Sequence, residues 1–373
     1  MSSNSKIILI MKNGLITFGE IMVRFSPPDH LRLSQAMPGN LEVTFAGCEA
    51  SVAVSYSILG GDSSFVTVLP NNTISEACIK NLNSFSVDTT SILRSDKGRF
   101  GTYYMETGSN QRASKVTYDR YKSALSLSKP EDYDWESILK NKKWLHISGI
   151  TPALSENAYD STLFCAQKAK NLGLKTSCDL NFRSKLWQWN KNYSARELAK
   201  RKMPEILKYI DLLIGNEQDA EDVLDIKAQE SNFKNGEIDI EAYPDIANKI
   251  SNLFPNLSLI AITLRESISA NHNRWGAMLY DCSKESSIFS PSKKNRYSPF
   301  EIKNIVDRLG AGDSFAAGLI FSLNHLKTDN KNALEFAVAA SCLAHSIKGD
   351  YNLSTSDEVF NLVNGFTSGR VSR

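Results

Sequence analysis

The sequence predicts an α/β fold: a doubly wound, mostly parallel sheet flanked by helices on both faces, with a small β-sheet lid. From Trp144 onward, short apolar strands alternate with helical stretches, which is the rhythm of a parallel sheet covered by helices. Two excursions earlier in the chain, at about 23–44 and 98–125, do not show this alternation. Alternating residues in the second excursion predict a hairpin with one solvated face. We therefore expect residues 1–373 to form a single domain with the excursions as its lid.

The first half of the chain supplies one strand, one helix and the hairpin as its clearest elements. A short apolar run predicts a strand over residues 15–18, which ends at Gly19. Small apolar residues at helical spacing predict a helix over 50–59, and the Gly60-Gly61 pair terminates it. Further predictions are a strand over 64–69, a helix over 75–85, and hairpin strands over 99–106 and 113–119.

The second half alternates strands and helices in a regular way. The predicted strands are 144–148, 175–179, 211–214 and 259–263, and the predicted helices are 156–171, 195–208, 217–224, 314–326 and 331–347. The polar segment 225–239 is predicted to be a surface insertion. Open sheets of this kind bind ligands at the carboxyl ends of their strands. Five polar residues fall at such ends: Glu20, Asp179, Asn216, Arg265 and Asp313.

Composition narrows the function classes. The net charge of +2 provides no long-range field, so neither nucleic acid nor an anionic membrane is an expected partner. Six cysteines lie far apart without a C-x-x-C motif, which fits a reducing, cytoplasmic location. No stretch approaches the ~18 apolar residues that a membrane span needs. Met11 is a candidate start, which makes the first ten residues a candidate extension.

The run from Asp307 to Gly318 is the most informative part of the chain. A strand-like segment, 301–306, leads into Gly-Ala-Gly-Asp, and an apolar helical stretch follows. Small residues at a helix start let backbone N–H groups close on an anion, and the helix dipole favours negative charge there. A carboxylate at Asp313 would repel a bound phosphate, so an acidic residue is unexpected in this turn. Its presence is explained if it accepts the proton of a hydroxyl that attacks the phosphate. The alternative is a glycine-rich turn with Asp313 as an ordinary helix N-cap.

This run resembles the C-terminal signature of the ribokinase-like (PfkB) carbohydrate kinases. Other blocks resemble the 2-keto-3-deoxygluconate kinase branch of that family and occur in the right order: 45–53, 118–120, Asp179-Leu180-Asn181-Phe182-Arg183 with Trp187, 263–267, and 348–350. The resemblance implies ATP-dependent phosphorylation of 2-dehydro-3-deoxy-D-gluconate to its 6-phosphate. It also implies ATP and Mg²⁺ as cofactors and a small acid sugar as the binding partner.

The resemblance assigns roles to individual residues. Asp313 is the expected general base, and the turn Gly310, Ala311 and Gly312 is the expected anion hole. The expected substrate contacts are Gly47, Cys48, Ser51, Tyr103, Tyr118, Arg120, Arg183, Asp313 and Asp350. The expected ATP contacts are Asn181, Arg183, Asn216, Thr263, Arg265, Gly310 and Gly312. Asn216 and Asp219 are the expected metal ligands, although the family has Glu where this chain has Asp219.

Plainer interpretations exist for several of these residues. Arg183 could form a surface ion pair, and Tyr118 and Arg120 could be an exposed cross-strand pair. Without the family analogy, Asp350 would pass as a turn residue at a helix end.

The chain also departs from the family pattern. Residues 46–48 read Ala-Gly-Cys where Gly-Gly-Ala is usual, Ser51 stands where Asn is usual, and Arg308 stands where many members have Thr. These changes bear on the identity of the substrate more than on the reaction.

Two other functions compete with the first. The nearer one is a fructokinase or another neutral-sugar kinase, against which Arg120 and Arg183 argue, because a neutral sugar offers a guanidinium no anion. The more distant one is a non-catalytic binding protein on a kinase scaffold. A homodimer formed through the β lid is also expected.

Overall fold

A computed structural model of the chain describes residues 14–227, 240–294 and 296–366. The candidate start at Met11 and most of the predicted insertion at 225–239 lie outside these described residues. No helix in the described ranges has the length and apolar character to cross a bilayer.

The strands alternate with helices along most of the chain. The strands are β1 (Leu15–Phe18), β2 (Met22–Ser26), β3 (Glu42–Ala46), β4 (Ser63–Val66), β5 (Val68–Pro70), β6 (Val87–Asp88), β7 (Leu93–Ser95), β8 (Gly101–Glu106), β9 (Lys115–Asp119), β10 (Trp144–Ser148), β11 (Lys175–Asp179), β12 (Leu212–Gly215), β13 (Leu259–Ser269), β14 (His272–Asp281), β15 (Ser286–Ser290), β16 (Ser292–Lys293), β17 (Arg296–Tyr297) and β18 (Phe300–Lys303). The α-helices are α1 (Leu33–Ala36), α2 (Cys48–Ile58), α3 (Thr73–Ser84), α4 (Ala124–Leu127), α5 (Trp135–Leu139), α6 (Glu156–Asn171), α7 (Ala195–Leu207), α8 (Glu217–Leu224), α9 (Tyr243–Leu253), α10 (Ala311–Phe321), α11 (Asn330–Ala344) and α12 (Ser356–Val363).

One large sheet forms the centre of the molecule. Its strand order is β15-β14-β13-β12-β11-β10-β1-β4-β6, with β18 paired to β14. Along this spatial order, the seven strands from β13 across to β6 are parallel to one another. Strands β14, β15 and β18 pair antiparallel at one edge. Helices α6 to α9 pack on one face, and α2, α10, α11 and α12 pack on the other. The predicted doubly wound, mostly parallel sheet is thus confirmed.

The central strands β1 and β10 are buried along their whole length, although they include the polar residues Thr17, His146 and Ser148. All four residues of β1 and all five of β10 are buried, as expected for parallel strands covered on both faces. Side-chain caps start the helices that follow: Ser155 accepts the Ala158 N–H before α6, and Ser194 accepts the Glu197 N–H before α7. These caps satisfy backbone N–H groups at the helix starts, which lie beyond the carboxyl ends of β10 and β11.

A separate four-stranded sheet forms the lid. Its strand order is β3-β2-β8-β9, and its residues fall almost entirely within the two predicted excursions. Strand β8 alternates strictly between buried and half-buried side chains, whereas β9 is largely exposed. The predicted hairpin is therefore confirmed. Pairing of two chains through this sheet stays a prediction.

Three element predictions were wrong in detail. The strand predicted over 64–69 divides into β4 and β5, and β5 pairs with β7 outside the central sheet. The strand predicted over 259–263 continues to Ser269 and turns back as β14 instead of leading into a helix. The helix predicted over 314–326 starts earlier, at Ala311, because Gly310 caps it in a left-handed conformation with φ of 77°. It ends at Phe321, where a π-helical turn follows.

Candidate active site

A cavity of about 450 Å³ opens at the carboxyl ends of the parallel strands, beneath the lid. That volume lies within the range of small-molecule sites. Nearly all the predicted site residues line it: Gly47, Cys48, Tyr103, Tyr118, Arg120, Asn181, Arg183, Asn216, Asp219, Thr263, Arg265, Gly310, Ala311, Gly312, Asp313 and Asp350. Segments that are far apart in the chain therefore converge on one pocket.

Ser51 is the exception among the predicted substrate contacts. It lies within α2, is fully buried and is not among the residues that line the cavity. Its backbone N–H donates to the Gly47 carbonyl at 2.7 Å, which places it one turn into the helix. The expectation that Ser51 touches the substrate is corrected by this position.

The Gly310–Gly312 turn begins α10. A Cβ atom at Gly310 would lie 2.0 Å from the Asp350 carbonyl oxygen, so only glycine fits there, while one at Gly312 would face open space. The first N–H groups of a helix have no intrahelical acceptor and can bind an anion. The N-cap is Gly310, so the alternative that Asp313 is an ordinary N-cap is wrong.

The carboxyl group of Asp313 sits in the first turn of α10. Its Oδ1 accepts a hydrogen bond from the Cys48 thiol at 2.9 Å. Burial raises the pKa of Asp313 to about 7, and the charges of Asp350 and Glu49 add to the rise, while the Cys48 hydrogen bond and Arg183 oppose it. A carboxylate with a pKa near neutrality is suited to accept a proton in catalysis.

Glu49 was not anticipated as part of this environment. It is fully buried in the first turn of α2, and its Oε1 accepts hydrogen bonds from the hydroxyls of Ser148 at 2.7 Å and Thr151 at 3.0 Å. Burial raises its pKa above the ordinary value. Nothing next to Glu49 in the sequence indicates that its side chain lies near the proposed base.

Three arginines line the cavity without an ion pair among the described residues: Arg183, Arg265 and Arg308. Arg308 donates to the Asn273 Oδ1 at 2.5 Å and to the Ser269 carbonyl at 3.4 Å. Burial, and then the charge of Arg265, lower the pKa of Arg308. Carboxylates such as Asp219 also act on these cations, but none forms a direct ion pair with them among the described residues, so their guanidinium groups are available to a polyanion.

Asn216 and Asp219 form a capping box at the start of α8. The Asn216 side chain accepts the Asp219 N–H at 2.9 Å, and Asp219 Oδ2 accepts the Asn216 N–H at 3.2 Å. The other oxygen of Asp219 accepts the Phe182 N–H at 3.0 Å. Each carboxylate oxygen thus accepts one backbone N–H and keeps a further lone pair. Ligation of Mg²⁺ by this pair stays a prediction.

A buried network joins the lid to the loop that carries Asp350. Arg24 in β2 binds Asp307 Oδ2 at 2.6 Å and Asp350 Oδ1 at 2.5 Å, and the Tyr103 hydroxyl donates to Asp350 at 2.9 Å. Sequence reasoning missed Arg24 and the role of Asp307. A charged residue within an otherwise apolar lid strand was the available signal for Arg24.

Arg120 is also paired within the protein. Its Nε donates to Glu20 Oε2 at 2.7 Å, and its guanidinium lies 5.5 Å from the centre of the Tyr118 ring. Arg120 therefore has an anionic partner whichever sugar binds. Of the two arginines invoked against a neutral sugar, Arg183 carries that argument, because among the described residues it forms no ion pair, and it donates to the Phe182 carbonyl at 2.9 Å.

Comparisons with known proteins identify the family. Residues 12–357 match the pfkB family of carbohydrate kinases. A crystal structure of 2-dehydro-3-deoxygluconokinase from Thermotoga maritima is similar, with 41% identity, a TM-score of 0.85, and coverage of 94% of this chain and 99% of that one. A 2-dehydro-3-deoxygalactonokinase from Haloferax volcanii is 30% identical over 95% of this chain and 98% of its own length. A fructokinase from Xylella fastidiosa with bound ATP shares the fold, with 17% identity, a TM-score of 0.72, and coverage of 96% and 100%.

Proposed function

This chain belongs to the pfkB family of carbohydrate kinases, and we propose that it transfers the γ-phosphoryl group of ATP to the 6-hydroxyl of 2-dehydro-3-deoxy-D-gluconate. The observation that carries the proposal is the position of Asp313. Its buried carboxyl group, with a pKa near 7, lies in the same helical turn as the Gly310–Gly312 backbone. It also lines the same cavity as the three arginines that form no ion pair among the described residues. A base, an anion hole and cations are the parts that phosphoryl transfer requires.

In the proposed reaction, Asp313 accepts the proton of the sugar's 6-hydroxyl as its oxygen attacks phosphorus. A new O–P bond forms, the bond between the γ-phosphorus and the bridging oxygen breaks, and ADP leaves. The N–H groups of the Gly310–Gly312 turn stabilise the charge that spreads over the transferring group. A positioned base contributes about 10²–10⁴-fold, and one anion-hole donor about 10²–10³-fold.

The acid end of the sugar needs a cation, and Arg183 is the best candidate. A guanidinium presents a planar pair of donors that matches a carboxylate. Tyr118 and Tyr103 line the lid side of the cavity. The Tyr118 hydroxyl is a candidate donor to the sugar chain, whereas the Tyr103 hydroxyl already donates to Asp350 and can only accept from the sugar. Asp350 is positioned to accept from a sugar hydroxyl, since Tyr103 and Arg24 already hold its carboxylate in place.

The residues of the pocket fit the triphosphate of ATP. Arg265 and Arg308 join Arg183 in presenting positive charge beside the Gly310 turn. Mg²⁺ commonly retains several waters and binds substrate phosphates, and it would neutralise charge on the triphosphate when bound. The capping box of Asn216 and Asp219 holds the start of α8 on the nucleotide side of the pocket, and the lone pairs that Asp219 retains would be available to Mg²⁺ or to its waters.

Another candidate substrate is the C4 epimer, 2-dehydro-3-deoxygalactonate, because the Haloferax relative carries that name. Measuring ADP release with a coupled assay separates the candidates. We expect turnover with the keto-deoxy acids and little with fructose or ribose. Turnover of fructose alone would overturn the proposed substrate class.

The base is tested by Asp313→Asn. We expect kcat to fall by about 10²–10⁴-fold because the amide cannot accept the hydroxyl proton. Asp160→Asn on the exposed face of α6 is the matched control and should retain full activity. Undiminished phosphorylation by the Asp313 variant would remove this residue from the mechanism.

A further inference from the structure

A thiol stands between the glycine turn that precedes α2 and the proposed base. Cys48 is the first residue of α2 and lines the cavity. Its Sγ lies 2.9 Å from Asp313 Oδ1 and 3.1 Å from Asn181 Nδ2. The family usually has Ala at this place in the glycine turn, which could make neither contact.

The partner on the other side of the thiol is held firmly. Asn181 adopts a left-handed backbone conformation with φ of 38°. Its backbone N–H donates to Asp179 Oδ1 at 3.2 Å, and its Nδ2 donates to Asp179 Oδ2 at 3.4 Å. The result is a continuous path from the end of β11 through Asn181 and Cys48 to Asp313.

From Asn181 to Asp313, each group donates to the next along the path. Burial raises the pKa of Cys48 well above its ordinary value, and the carboxylates of Asp313, Glu49 and Asp179 raise it further, so the sulfur keeps its proton. A thiol has a single hydrogen and accepts only weakly. With the Asn181 amide donating to the sulfur, that hydrogen is directed at Asp313.

We propose that Cys48 is a positioning residue for the base: it holds Asp313 Oδ1 so that Oδ2 faces the acceptor hydroxyl, and it does not bind the sugar. The inference rests on the proposed role of Asp313 in phosphoryl transfer. It replaces the expectation that Cys48 is a substrate contact. A thiol suits this task because a weak donor orients a carboxylate while leaving most of its basicity.

The groups that face Asp313 come from several elements, so the effect of the thiol has to be separated from theirs. Asp350 and Glu49 raise the pKa of Asp313, whereas Arg183 and the Cys48 hydrogen bond lower it. Removing the thiol therefore shifts the pKa of Asp313 upward and the acid limb of the kcat profile to higher pH. A stronger donor at the same place shifts both the other way.

The test compares Cys48→Ala with Cys48→Ser. For Cys48→Ala we expect kcat to fall by roughly 5–10-fold, the loss expected for one ordinary hydrogen bond, because the thiol is a weak donor. The acid limb should move to higher pH, and KM for the sugar should change less than about 2-fold, since uniform binding is untouched. Cys48→Ser should have nearly the kcat of the natural protein at the pH optimum. Its acid limb should lie at the same pH as that of the natural protein or at a lower pH.

Two results would overturn the proposal. A rise in the sugar KM at unchanged kcat and unchanged pH profile would make Cys48 a substrate contact. No change in any of these quantities would make it a bystander. Cys282→Ala, at the half-buried thiol that follows β14, is the matched control and should leave kcat, KM and the pH profile unchanged.

An independent measurement keeps this inference separate from the proposed function. Carbon-13 NMR of aspartate carboxyl groups, with Asp313→Asn for assignment, gives the pKa of Asp313 in the free protein. The Cys48→Ala protein should titrate at higher pH than the natural one. If the natural protein phosphorylates none of the sugars, the proposed function fails while this titration still decides whether the thiol holds the carboxylate.

Discussion

Arg24 offers the sharpest test of how the lid is attached to the catalytic turn. Its guanidinium forms ion pairs with Asp307 and Asp350, and the exposed fractions of the three side chains are 3%, 2% and 13%. Arg24→Met keeps the length of the side chain and removes its charge. Two buried carboxylates then lose their cation, and breaking a buried pair in this way costs about 3–5 kcal/mol of the free energy of unfolding.

The pH dependence of this loss follows from Asp350. Burial raises the pKa of Asp350 above its ordinary value although Arg24 lowers it, so the pKa rises further once Arg24 is removed. The unfolded chain then ionises at lower pH than the folded one, and stability is lost as the pH rises through the folded-state pKa. We therefore expect the variant to be closest to the natural protein near pH 5 and furthest from it near pH 8.

Urea unfolding at both pH values measures the effect, with tryptophan fluorescence and circular dichroism as independent probes. Arg99→Met is the matched control, because the Arg99–Asp119 pair on the same lid is 43% and 54% exposed. An exposed pair contributes about 0–1 kcal/mol. If Arg24→Met at pH 8 loses no more stability than Arg99→Met, the buried network does not anchor the lid and the reasoning is refuted.

Two further predictions concern the phosphate side of the pocket. Gly310→Ala should melt at a lower temperature and lose most activity, because its Cβ would lie 2.0 Å from the Asp350 carbonyl oxygen. A Cβ at Gly312 meets no protein atom, so Gly312→Ala should melt normally; it keeps its N–H, but the added methyl group would narrow the cavity that Gly312 lines and lower kcat in the coupled assay. Equal melting temperatures for the two variants would contradict the steric argument. Arg308→Gln should raise KM for ATP by about 10-fold or more, as for loss of one charge-assisted contact, and leave KM for the sugar unchanged. A rise in the sugar KM alone, in initial-rate measurements, would place Arg308 elsewhere.

Much of the fold was predictable because its central strands are locally distinctive. Short, mainly apolar runs such as β1 and β10, which are fully buried in the structure, leave few alternatives to a parallel strand. No comparable signal marks β14, because the turn before it, Ala270-Asn271, contains neither Gly nor Pro. The division of the 64–69 run was hidden as well, since all its residues are buried and nothing local marks the change of sheet.

The site could be predicted where its residues lie together in the sequence. It could not be predicted where contacting residues are far apart along the chain. The Gly310 turn and Asp313 lie in one short run, and the structure brings them together as expected. Arg24 and Asp307 are separated by 283 positions, so no local pattern could pair them. Ser51 shows that membership in a motif does not guarantee a place in the cavity, since this residue is buried within its helix.

The basicity of Asp313 is a property of the assembled sheet, not of the motif that contains it. Its burial and the charges of Asp350 and Glu49 raise the pKa, while Cys48 and Arg183 lower it, and these four residues come from three separate parts of the chain. In an unfolded chain the same carboxyl would be ionised well below neutral pH and solvated by water. A change in any of the four should therefore alter the pH profile even where the Gly-Ala-Gly-Asp run is intact, which is why motif identity alone does not set the rate of phosphoryl transfer.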